Sequence, residues 1–143
     1  MPSTSTSIAE LLQRSRTIAV AGLSANPGRP SNGVAQYLQR NGYRIIPINP
    51  TYAGTHILGE YCYDSLQAAA SALAKENVKI DIVDCFRKSE AIPPIVDAAI
   101  EIGVQCVWMQ LGVAHEEAAA KARARGIDVV MDNCIKIEHM NLA

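Results

Sequence analysis

The segment GLSANPGRPS, residues 22–31, follows directly on the apolar run TIAVA, residues 17–21. These residue types, placed where a strand turns into a helix, can hold an anion. Glycine lets backbone amides approach a ligand, a helix N-terminus adds partial positive charge, and arginine adds a permanent one. Pro30 suits the first turn of that helix, and Ser31 can cap it. Gly22, Ser24, Asn26, Pro27, Arg29 and Ser31 are therefore candidate phosphate-binding residues.

Two common phosphate motifs can be compared with these letters. The P-loop needs G-x-x-x-x-G-K-[ST]. Here Gly22 and Gly28 stand one residue too far apart, and Arg29-Pro30-Ser31 replaces the lysine and hydroxyl, which argues against ATP or GTP hydrolysis. The dinucleotide fingerprint needs G-x-G-x-x-G and an acid after the second strand. That strand ends in PINP, with Asn49 between two prolines, so ordinary NAD binding is disfavoured and NADP stays open.

Two further segments add candidates. CFRKSEAIPP, residues 85–94, places Phe86, Arg87 and Lys88 together, an apolar floor beside two cations that suits an adenine next to a ribose phosphate. WMQLGV, residues 108–113, offers Gln110 as donor and acceptor and Gly112 as a point of close backbone approach, with Trp108 read as core. No catalytic constellation emerges. His115 is read as a polar helix start, His56 of the loop after the second strand and His139 of the tail as exposed residues, Asp84 as a carboxylate bonded to neighbouring amides, and Cys85 as an inert core thiol. No histidine spacing suggests zinc.

These residues need a frame to bring them together. Short apolar runs recur at 17–21, 43–48, 80–86, 105–109 and 127–131, nearly continuous rather than alternating, as in parallel strands covered on both faces. Helical stripes lie between them: Val34, Tyr37 and Leu38, ending at Gly42; Leu66, Ala69, Ala70 and Leu73, capped by Asp64 or Ser65; Ile95, Val96, Ala99 and Ile100, ending at Gly103. HEEAAAKARARG, acidic then basic, is a fourth, and SIAE is a capping box for a leading helix from Ser7 to about Arg14. The expectation is an α/β chain: one Rossmann-like doubly wound sandwich over 1–143, about five parallel strands with helices on both faces. Residues 1–16 form its leading helix and 132–143 its tail. Ligands in such a sheet bind beyond the carboxyl ends of the strands.

Composition excludes some partners. The 143 residues carry a net charge of −1, so there is no general pull toward nucleic acid or an anionic membrane. With one Phe and one Trp, a base-stacking platform is not expected. The four cysteines form no C-x-x-C pair, and the opening MPSTSTS has no signal-peptide character, which predicts a cytoplasmic protein in a reducing compartment.

Taken in order, AGLSANPGRPS, GYRIIPINP, GEYCYDSL, DIVDCFRKSEAIPPIVDAAIEIG, VWMQLGV and EAAAKARARGIDVVMDNCIKIEH resemble the small stand-alone CoA-binding-domain proteins over about residues 17–139. These are similar to the CoA-binding domain in the α-subunit of succinyl-CoA synthetase. The resemblance implies that the first loop holds the pyrophosphate of coenzyme A, with Ser24, Asn26 and Arg29 as its polar members. It implies that NPTYAG, with Asn49, Pro50 and Tyr52, follows the ligand, although Thr51 or Tyr52 stands where the ligase has a lysine. DCFRK then faces the nucleotide end, and Asn133 stands where many relatives carry a basic residue. The ribose 3′-phosphate of CoA calls for cations rather than an acid, and Arg29, Arg87 and Lys88 answer to that. The expected function is binding of CoA or acyl-CoA without evident catalysis, alone, as a homo-oligomer or beside a ligase-like partner. An enzyme using NADP or another nucleotide in the same crevice is the alternative.

Overall fold

The computed structural model describes residues 7–142. Five parallel strands make the main sheet: β1 (Thr17–Ala21), β2 (Arg44–Ile48), β5 (Ile82–Cys85), β6 (Cys106–Met109) and β7 (Asp128–Val130), in the order β2-β1-β5-β6-β7. A two-stranded hairpin of β3 (His56–Ile57) and β4 (Glu60–Tyr61), unforeseen in the sequence, follows β2. Its strands are only two residues each, too short to leave an alternating pattern.

The continuous apolar runs are explained by cover on both faces. One layer holds α3 (Leu66–Ala74), α4 (Ile92–Ile102) and α5 (Glu116–Ala124) over Ala19, Ile46, Val83 and Val107. The other holds α1 (Ile8–Arg14), α2 (Pro30–Arg40) and α6 (Ile135–Met140) over Ile18, Val20, Ile45, Ile82 and Trp108. Pro47 falls within β2, which a central strand would not allow; β2 is the last strand on its side of the sheet. The tail from residue 132 contains α6, with Ile135 buried; Ala143 lies outside the described residues.

Local signals place most helix ends. The Ser7 hydroxyl accepts from the Glu10 amide at 3.1 Å, so the SIAE box starts α1 as expected, while residues 1–6 of the leading segment lie outside the described residues. Ser65, not Asp64, caps α3 through the Ala68 amide at 3.1 Å. His115 caps α5: its Nδ1 accepts from the Ala118 amide at 3.1 Å. Gly103 closes α4 in the left-handed region at φ 75°. At the amino ends of the strands, the Asp81 carboxylate accepts from the amides of Arg16 and Thr17 at 2.8 and 3.0 Å and so ties β1 to the start of β5.

Ser31 departs from its expected role. It lies inside α2, and the cap position falls to Arg29, which makes no side-chain cap bond. The Ser31 hydroxyl, buried, instead accepts from the Ser24 amide at 3.0 Å across the loop.

Candidate functional site

The sheet order fixes where two loops must part. The chain leaves β1 toward α2 on one face and leaves the adjacent β5 toward α4 on the other, so a crevice opens between them at the carboxyl ends. The two loops nonetheless touch at their roots. The Phe86 amide donates to Ala21 O at 2.9 Å, and on the other side the Gly22 amide donates to Ile48 O at the end of β2 at 2.8 Å. At Gly22, φ is +88°, and a Cβ there would lie 2.4 Å from the Phe86 carbonyl and 2.8 Å from Arg87 Cδ. The Arg87 stem therefore lies across the glycine, where no other residue leaves it room.

The loop after β1 is built by its own polar side chains. Ser24 Oγ accepts from the Asn26 amide, Asn26 Oδ1 from the Gly28 amide, and Asn32 Nδ2 donates to Ser24 O, all within 3.0 Å. Asn49 joins the neighbouring loop to it: Nδ2 donates to Leu23 O, and Oδ1 accepts from the Thr51 amide, both at 3.0 Å. Ser24, Asn26, Ser31 and Asn49 thus hold the loop's shape, while Pro27 and Arg29 stand exposed on it. A loop already ordered without its ligand loses less entropy on binding.

Beside it, on the α3/α4 side, is a crevice of about 290 Å³. Ile48, Pro50, Leu66, Ile95 and Ala98 give it apolar walls, with Gly22 and Arg87 at the junction with the loop. Of the residues singled out in the sequence, Gly22, Pro50 and Arg87 line it. Those supplied by α3 and α4 were missed. Ile95 read as ordinary helix stripe and Ser65 as an ordinary cap, Ala98 was not singled out, and only the tertiary placement of the two helices turns them into a wall.

Other expected residues go elsewhere. Phe86 is not the crevice floor: it packs half-buried against the opposite layer, the α2 side, because strand alternation past Cys85 turns it there. Tyr52 packs against that same layer. Lys88 is exposed and starts a 3₁₀ turn, Ser89–Ala91. Gln110 is buried, and its Oε1 accepts from the Ile135 amide at 3.1 Å. The Gly112 amide donates to the Asp132 carboxylate at 2.7 Å. Both are engaged in fixing the turn after β7. Trp108 is fully buried, with its indole N–H donating to Asn133 O at 2.8 Å.

The groups weighed for chemistry are dispersed. His56 is exposed in the hairpin. His139 is half-buried rather than exposed, with Nδ1 2.7 Å from the Tyr37 hydroxyl. Burial pushes the Cys85 thiol far up, with the nearby Asp84 carboxyl adding to it, which keeps it from acting as a nucleophile near neutral pH. Asp84 does not bond neighbouring amides: its carboxyl is wholly buried with neither oxygen partnered, and burial pushes it well above the usual carboxylate range. Among the described residues, no group of three or more His, Cys, Asp or Glu could hold a metal ion, and no helix is long and apolar enough to cross a membrane.

The sequence profile described as the CoA binding domain matches residues 16–140, which contain the whole main sheet, the glycine loop and the crevice. This chain belongs to the CoA-binding-domain family. A Bacillus subtilis member of similar length, the protein YneT, is 41% identical over 132 residues, 92% of this chain and 91% of its own. A solved protein of Pyrococcus horikoshii is 34% identical with a TM-score of 0.85, covering 99% of this chain and 96% of its own. An acetyl-coenzyme A synthetase of Candidatus Korarchaeum cryptofilum is similar in fold alone, at 20% identity and a TM-score of 0.67, over 87% of this chain and 28% of the synthetase. The likeness expected from the quoted segments therefore holds at the level of the family and its fold.

Proposed function

We propose that the chain binds coenzyme A or an acyl-CoA across the carboxyl end of the sheet and performs no turnover of its own. The observation that carries this reading is Arg87, which lines the crevice at its junction with the glycine loop, with Arg29 exposed on that loop and Lys88 exposed next to Arg87. Among the described residues only Arg44 and Lys121 form ion pairs, so Arg29, Arg87 and Lys88 have no carboxylate holding them. Unpaired cations beside an ordered glycine loop favour a polyanionic ligand.

In this reading the loop after β1 and Arg29 meet the pyrophosphate at the N-terminus of α2. Arg87 and Lys88 meet the ribose 3′-phosphate, and the apolar crevice receives the adenine. Membership of the family supports CoA over the NADP alternative. The dispersed histidines and the inaccessible Cys85 and Asp84 support binding without catalysis, and we place the protein in the cytoplasm on its cysteine usage.

Charge-assisted hydrogen bonds are worth roughly 1.5–3 kcal/mol each. Arg87→Ala is therefore expected to weaken CoA binding by about ten- to a hundredfold, each decade being about 1.4 kcal/mol. Binding of 3′-dephospho-CoA should change by less than about threefold, since the lost bond was to the missing phosphate. Titration calorimetry of both ligands decides it. An equal loss for both would remove Arg87 from the 3′-phosphate, and no loss for either would remove it from the site.

A further inference from the structure

We propose that Asp84 is a proton-operated latch on the candidate site: neutral, it lets the β1 and β5 loops close together, and ionised, it draws water in between them. The side chain lies on β5, in register with Val20 of β1 and Trp108 of β6. Alternation along the strand puts it on the face of Ile82, in the layer of α1, α2 and α6. Both carboxyl oxygens are fully buried and neither has a hydrogen-bond partner. A carboxylate in that position requires hydrogen-bond donors, and none reaches either oxygen.

The layer it faces is mostly apolar, although α2 also buries the polar Ser31 and Asn32. Val20, Trp108, Val34 and Ala35 of α2, and Ile135 of α6 belong to this layer. The titratable groups that sense its charge are two thiols, Cys85 on the same strand and Cys106 on β6, and no arginine, lysine or histidine offsets it. Cys85 points to the other layer.

The direction of opening follows from the packing. Toward the amino ends, Ile82, Ile18 and Cys106 are at 0% exposure. Toward the carboxyl end, the next residue on this face is Phe86, half-buried, where β5 has ended and its loop meets Gly22. Water reaches an ionised Asp84 past the half-buried Phe86, the partly exposed residue at that end of the face, Leu23 beside it being fully buried. That path separates the roots of the two loops that bound the crevice, so the closed site belongs to the protonated form. This latch does not depend on which ligand the crevice takes.

Trp108, the single tryptophan, sits beside Asp84 and reports on it. In the unliganded full chain, raising the pH from 5 to 10 should red-shift and quench its emission in a one-proton step. Amide exchange, corrected for its intrinsic pH dependence, should rise at 22–29 and 86–88 through the same step. Asp84→Asn should abolish both changes, and Cys106→Ala should retain them. A step that survives in Asp84→Asn, or no step in the wild type, would overturn the latch. Should Asp84→Asn fail to fold, the wild-type carboxyl-carbon NMR signal of Asp84 decides. Titration there in the ordinary carboxylate range overturns the proposal, and titration well above it, with exchange rising in step, supports it.

Discussion

Gly22→Ala should lower the melting temperature by roughly 10 °C and abolish ligand binding at the crevice. A side chain at φ +88° costs about 1–2 kcal/mol in the left-handed region. The new Cβ would also stand 2.4 Å from the Phe86 carbonyl, a backbone atom held by the Phe86 amide bond to Ala21 and unable to swing aside. Forcing apart a packed contact adds about 1–3 kcal/mol. At roughly 3 °C per kcal/mol for a chain of this size, the sum gives the stated shift. Gly33→Ala is the control. It lies inside α2 with nothing within 4 Å of its Cβ, so helix propensity should leave stability unchanged or raise it by up to about 1 kcal/mol. Thermal unfolding of both variants checks the pair. If they melt alike, the close approach at Gly22 is not what holds the loops together.

The second large effect is on the pH dependence of stability. Burial raises the Asp84 carboxyl well above its ordinary value in the folded chain, while in the unfolded chain it titrates normally. The folded state therefore binds the proton more tightly, and stability falls as the pH rises. The contribution is fully present below about pH 4, the ordinary aspartate range, and is lost as the pH rises toward the raised folded value. Within that window the slope is at most about 1.4 kcal/mol per pH unit for one proton. Asp84→Asn keeps the shape and removes the ionisation, so its stability should be flatter with pH and should overtake the wild type as neutrality is approached. Denaturant unfolding at pH 4, 5.5 and 7 measures the difference between the two proteins. Parallel curves would mean that Asp84 is hydrated or paired in solution.

The frame of this protein was legible because its signals are local and repeated. TIAVA and the other apolar runs announce covered parallel strands, Gly103 and the SIAE box mark helix ends, and each needs only its neighbours in sequence to be read. The glycine loop was legible as an ordered turn at the end of β1, yet the work of its members was not. Ser31 had the type and place of a cap, and nothing local showed that its hydroxyl would serve Ser24, seven residues earlier. Phe86 shows the limit from another direction. Composition marked it as the only phenylalanine near a crevice, but its side was set by strand parity at Cys85, and the strand ended one residue earlier than the apolar run. The crevice walls at Ile95 and Ala98 were invisible as site because α3 and α4 meet there only in three dimensions. Gln110 and Gly112 carry suitable chemistry, but the partners that engage them, Ile135 and Asp132, lie beyond the next helix and strand, α5 and β7.

The junction of the β1 and β5 loops is proposed as a site for coenzyme A. Titration calorimetry of the purified chain with CoA, 3′-dephospho-CoA, NADP and NAD tests it most directly. Micromolar binding of CoA is expected, on the order of −8 kcal/mol, weakening sharply without the 3′-phosphate and absent with NAD. Binding of NADP in preference to CoA, or no heat with any of the four, would contradict it.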